Sequence, residues 1–94
     1  MRVGVMRVDL HFPDAQSLKH KRQILLSLKD RLSSRFEVSV AEVGDQDLWQ
    51  RGEIGIAFVS LDTKGADHRA RSIEEFIRSH PGAIVLKVER EIVY

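Results

Sequence analysis

The chain has 94 residues, 43% hydrophobic and 31% charged, with 15 lysines and arginines against 14 aspartates and glutamates for a formal net charge of +1. A chain of this length buries one core rather than two, and its near balance of charge excludes bulk attraction to nucleic acid or lipid, so any basic site must be local. Cysteine is absent, which excludes disulfides, thiol catalysis and thiolate metal sites and suits a reducing compartment.

From Met1 to Arg7 charges interrupt the apolar run, unlike the continuous apolar segment of a signal peptide, and no later stretch approaches a membrane span. The expected location is cytoplasmic. Met6, Val8, Leu10 and Phe12 alternate with Arg7, Asp9 and His11, the period of a strand with one buried face, and Pro13-Asp14 ends it. From about Ser17 to Ser34, Leu18, Leu25, Leu28 and Leu32 recur at helical spacing with Ile24 beside them, while Lys19, Arg22, Lys29 and Asp30 take other faces.

Phe36, Val38 and Val40 then alternate with Glu37 and Ser39 as a second strand, and a loop from Gly44 to Gly52 leads to a third, Glu53 to Leu61. A turn at Asp62 to Gly65 opens a second helix with Ala70, Ile73 and Ile77 on one stripe, stopped by Pro81-Gly82. The last strand is expected from Ala83 to Val93 with Ile84, Leu86, Val88 and Ile92 facing one way. The order strand, helix, strand, strand, helix, strand predicts an α+β fold of the ferredoxin-like split βαβ kind. It is expected as a single domain over residues 1–94, a four-stranded antiparallel sheet with two helices on one face.

Ser17-Leu18-Lys19-His20-Lys21-Arg22 places three fixed cations at the start of the first helix, where the backbone already carries partial positive charge and each costs roughly 0.3–1 kcal/mol if unanswered. A right-handed crossover brings this helix start and the Gly44 to Gly52 loop to the same edge of the sheet. Lys19, Lys21, Arg22, Trp49 and Arg51 thus form a candidate binding site, with Ser17, Glu42, Asp45, Asp47 and Gln50 as supporting or pairing residues. Three readings stand. Asp45 and Asp47 pair with the cations and Trp49 folds back as an apolar plug. Alternatively the cations hold a phosphate of RNA or a nucleotide, or Trp49 and Arg51 anchor a protein partner. Lys64, His68, Arg69 and Arg71 crowd the second helix start at the opposite edge, where Asp62, Asp67, Glu74 and Glu75 are available to pair with them.

Arg51 to Val59 superficially resembles the octapeptide of RNA-recognition domains, but the exposed sheet face carries no flat ring on which a base would stack. That face instead gathers Val3, Val5, Ala41, Val43, Ala57, Val59, Val85 and Val93, a patch suited to sheet-on-sheet packing in a homodimer. No enzyme is expected. His11, His20, His68 and His80 match no metal-ligand spacing, no phosphate-binding glycine motif occurs, and neither a metal nor a cofactor is implied.

The blocks Ser17 to Arg22, Arg35 to Gly44 and Asp47-Leu48-Trp49-Gln50-Arg51 resemble the YlxP-like family, small bacterial proteins with a domain of unknown function. The resemblance spans nearly the whole chain, and Ser17, Leu18, Lys19, Lys21, Arg22, Glu42, Asp47, Trp49, Gln50 and Arg51 match its characteristic words. It implies a ferredoxin-like fold. It also implies a genomic setting beside a translation initiation factor and a ribosome-binding factor, hence a role near ribosome maturation or RNA, and it carries over no catalytic residue. The expected function is an accessory protein binding RNA or a ribosomal particle through the basic edge. The alternative is a homodimeric scaffold using the open sheet face or the Trp49 loop.

Overall fold

The computed structural model describes residues 1–94. Its elements are β1 (Arg2–His11), α1 (Leu18–Arg35), β2 (Ser39–Gly44), β3 (Arg51–Ser60), α2 (Thr63–Arg78) and β4 (Ile84–Ile92). The strands make one four-stranded sheet in the order β2-β3-β1-β4, with every neighbouring pair antiparallel. This is the ferredoxin-like βαββαβ topology that the alternation of patterns predicts.

The core lies between the helices and one sheet face. Met6, Val8 and Leu10 of β1 and Ile54, Ile56 and Phe58 of β3 supply the sheet side, and Leu25, Leu28, Leu32, Ala70, Ile73 and Ile77 supply the helix side. Fully burying one such leucine or isoleucine stabilises the fold by about 1.5–3 kcal/mol. Both helices are capped from their own sequence. Ser17 Oγ accepts the His20 N–H at 3.0 Å and Asp62 Oδ1 accepts the Gly65 N–H at 2.7 Å, so each cap answers an otherwise orphaned donor. No helix is long and apolar enough to cross a membrane.

Two strand expectations are corrected. β2 begins at Ser39 rather than Phe36, because Phe36 ends α1: its N–H donates to Leu32 O at 2.9 Å. Its ring meets Phe76 of α2 edge-on, with centroids 5.7 Å apart and planes at 80°. The alternating Phe36 and Val38 therefore serve packing between helix and sheet before any ladder starts. In β4 the phase changes at a bulge, where Lys87 pairs with Asp9 but Val85 pairs with Leu10, leaving Leu86 as the extra residue. Val85 joins Val88 and Ile92 against the core, so it leaves the predicted open-face patch, while Ile84 and Leu86 are exposed.

His80, just past the C-terminal cap of α2, is buried with Nδ1 lacking a partner. Burial, and secondarily the charge of Arg31, lowers its pKa. The unfolded chain then takes up a proton near the ordinary histidine value of about 6.5 while the folded chain does not, so stability is full above that pH and is lost as pH falls toward the lower folded value. Urea denaturation at about pH 7.5 and about pH 5.5 should show this loss in the wild type and a smaller one in His80→Leu. Equal losses in the two proteins would remove His80 as the cause.

Candidate functional site

Lys21 lies on the buried stripe of α1 between Leu18 and Leu25, and only 1% of it is exposed. The loop of residues 45–50 folds back over its ammonium. Asp45 has a φ of 59°, a left-handed conformation that aspartate tolerates better than most residues, and Leu48 N–H closes the turn on Asp45 O at 3.1 Å. Lys21 Nζ donates to Asp45 O at 2.7 Å and to Leu48 O at 2.6 Å. Glu42 Oε2 of β2 stands 3.0 Å from the same nitrogen as an ion pair, although its angle does not make a hydrogen bond. An ammonium has three donors and no acceptor, and here two carbonyls and a carboxylate surround it.

The lysine stem and the Phe12 ring share the space above Gly52. A Cβ on Gly52 would come within 2.9 Å of Phe12 Cε2 and 3.5 Å of Lys21 Cε, so the absence of a side chain is what admits both. A second clasp closes the other end of the loop. Gln50 Nε2 donates to Ala15 O at 3.3 Å, Phe12 N–H donates to Gln50 O at 2.9 Å, and His11 Nδ1 lies 3.0 Å from that oxygen. The predicted meeting of the α1 start with this loop is thus realised through backbone carbonyls.

Lys21 is accordingly corrected from a phosphate-binding cation to a buried hub that shapes the loop. Asp45 contributes through its carbonyl, and neither the Asp45 nor the Asp47 carboxylate forms an ion pair. Lys19, Arg22 and Arg51 are exposed and also take part in no ion pair. Trp49 and its neighbour Leu48 are each 48% exposed, which makes an apolar tip on a held loop.

Lys19 and Arg22 stand on α1 two residues before and one residue after the Lys21 that holds the loop. Arg51 is different. Gly52 faces the helix layer and Arg51 pairs with His11 in the ladder, so alternation along β3 puts Arg51 on the open-face side. The three free cations are therefore divided between the helix layer and the open-face side instead of lining one pocket.

The basic group on α2 sits at the other end of the strands, as topology requires. Arg69 Nη2 donates to Glu37 O at 3.1 Å and its guanidinium lies 5.6 Å from the Phe58 ring centroid, which ties α2 to the start of β2. Glu74 pairs with Arg78 at 3.0 Å instead of with the helix start. Phe12 and Gly52 are the site-building residues that sequence reasoning missed. Their signal was the small residue at a core-phase position of β3, directly after the polar loop.

A profile described as a protein of unknown function (DUF503) matches residues 3–90. The uncharacterised protein YlxP of Bacillus subtilis (strain 168) is 36% identical over 90 residues, spanning 96% of this chain and 92% of that protein. Among solved structures, the periplasmic domain P4 of SecDF superposes with a TM-score of 0.51 at 17% identity, covering 95% of this chain and 87% of that one. The designed protein Ferredog-Diesel gives a TM-score of 0.46 at 12% identity, with 95% and 83% covered. The SecDF likeness is one of fold alone. The profile match across nearly the full length, together with the identity to YlxP, shows that the chain belongs to the DUF503 family.

Proposed function

We propose that this chain is a non-enzymatic cytoplasmic accessory protein that binds RNA, free or within a ribosomal particle, across the end of the sheet where α1 begins. The observation that carries this reading is the buried Lys21 hub, which holds the 45–50 loop with Trp49 half exposed, while Lys19 and Arg22, its near neighbours along α1, stay exposed and unpaired. A fixed aromatic tip suits stacking by an unpaired base, worth about 1–3 kcal/mol, and flanking cations suit the adjoining phosphates. Arg51 reaches the same strand of RNA from the open-face side. The genomic setting implied by the family resemblance points the same way.

Trp49 is the only tryptophan in the chain, so its fluorescence reports on the site directly. Titration with single-stranded RNA should quench it, and Trp49→Ala should weaken binding measured by a labelled RNA. The double variant Lys19→Ala/Arg22→Ala should bind more weakly at low salt and reduce the slope of log affinity against log salt by roughly 1.4. Lys21 is left intact in this test because its removal would disturb the loop itself. Unchanged affinity and salt slope in the double variant would defeat the reading.

A further inference from the structure

At the rim of the sheet that carries the Trp49 loop, the last ladder pair between β1 and β3 is His11 with Arg51. Phe12 N–H donates to Gln50 O one step further on, and hydrogen-bonded and open pairs alternate along an antiparallel ladder. His11 and Arg51 are therefore an open pair, the kind whose side chains stand closest, and both lie on the face away from the helices. Arg51 is exposed and His11 partly so. His11 Nδ1 lies 3.0 Å from Gln50 O, so the ring leans toward β3 and touches the residue next to Trp49.

A carbonyl oxygen only accepts, so Nδ1 carries a hydrogen whether the ring is neutral or charged. The proton that comes and goes is on Nε2, which makes no hydrogen bond or ion pair within the chain. Protonation thus adds a charge and a donor at the rim while the bond that clasps the loop stays in place. The charged groups around the ring are arranged by row. Arg51 stands directly across in β3 and Ile84 pairs on the β4 side, so the rim row holds no carboxylate. One row inward the ladder runs Glu53, Asp9, Lys87, with Glu53 held by Arg7 at 2.9 Å. The loop adds the Asp45 and Asp47 carboxylates, neither of them in an ion pair.

We infer that His11 is a further RNA contact of this site, its protonated Nε2 joining the Arg51 guanidinium on a backbone phosphate, so that the site binds RNA more tightly as pH falls. The inference rests on the RNA reading above and adds a residue and a regulation to it. A guanidinium and an imidazolium side by side offer charge-assisted N–H groups from one row, which suits the several acceptor oxygens of a phosphate. Histidine is the side chain whose charge changes between about pH 5 and 8, whereas arginine and lysine stay charged throughout that range. Acid therefore adds one contact and leaves the others as they are.

Affinity for a labelled oligouridine, whose bases do not titrate in this range, is measured against salt at about pH 6 and about pH 8. At low salt the wild type should bind more tightly at the lower pH, by up to about fivefold, the ceiling for one exposed charge pair. Its slope of log affinity against log salt should be steeper there by up to about 0.7, the share of one phosphate on a single strand. His11→Asn keeps a donor where Nδ1 meets Gln50 O but has no Nε2, and it should bind as the wild type does at the higher pH and show neither change. His20→Gln, at the neighbouring start of α1, should keep both changes. Equal affinity and slope in the wild type at the two pH values overturn the inference while leaving RNA binding intact, and that comparison needs no variant to fold. A pH change that survives in His11→Asn, or that vanishes in His20→Gln, also overturns it. So does a His11→Asn variant weakened equally at both pH values, which reduces His11 to a clasp of the loop. No binding at either pH overturns the RNA reading, and this inference with it.

Discussion

Replacing Lys21 with methionine should cost about 3 kcal/mol of folding stability, the lower part of the range for removing one member of a buried pair. Methionine keeps most of the apolar stem above Gly52, so the loss isolates the ammonium. Without it, Asp45 O, Leu48 O and the Glu42 carboxylate lose their shared donor. The loss falls low in the range because Glu42 retains 20% side-chain exposure and water can reach part of the vacated shell. Urea denaturation measures the loss, and amide hydrogen exchange should show faster opening at Leu48, whose N–H closes the turn. Lys19→Met, at an exposed position two residues earlier in the helix, should change stability by no more than about 0.5 kcal/mol. A Lys21→Met loss as small as that of Lys19→Met would mean that the loop carbonyls rehydrate freely and that the hub holds nothing.

Phe12→Ala should be costlier still, about 4 kcal/mol, because the ring is fully buried and its removal leaves a cavity on top of the lost transfer energy. Its position makes the effect more than a core defect. The ring stands with the Lys21 stem over Gly52, and the Phe12 N–H holds the Gln50 carbonyl. Loss of the ring should therefore loosen both clasps of the 45–50 loop. Combining Phe12→Ala with Lys21→Met should give a total loss at least 0.5 kcal/mol smaller than the sum of the single losses, since residues sharing a site couple by about 0.5–3 kcal/mol. If the double variant is too unstable to measure, Phe12→Leu with Lys21→Met tests the same coupling at lower cost. Strict additivity would separate the ring from the loop.

The fold was legible because each element states its own period. β1 alternates strictly, α1 and α2 repeat leucine, isoleucine and alanine at helical spacing, and Ser17 and Asp62 mark the two helix starts. β4 was legible only in part. Ile84, Val85 and Leu86 are consecutive apolar residues, so pattern alone leaves its phase open, and pairing with β1 selected Val85 by placing the bulge at Leu86. Phe36 was misplaced because an apolar residue after a helix fits a cap as well as a strand.

The candidate site divides along the same line. Composition and order were enough to determine a ferredoxin-like chain with its cations at one helix start and its tryptophan in the loop that topology brings there. Only the tertiary structure decided which cation is spent within the protein. Lys21 falls on the helical stripe that includes Leu18, Leu25 and Leu28, and a lysine there is buried only if the rest of the chain brings it acceptors. Those acceptors are backbone carbonyls of Asp45 and Leu48, groups common to every residue and invisible as side-chain chemistry. Their direction depends on how the loop turns, at Asp45 in a left-handed conformation, and that turn exists only once β2 and β3 are paired beneath α1.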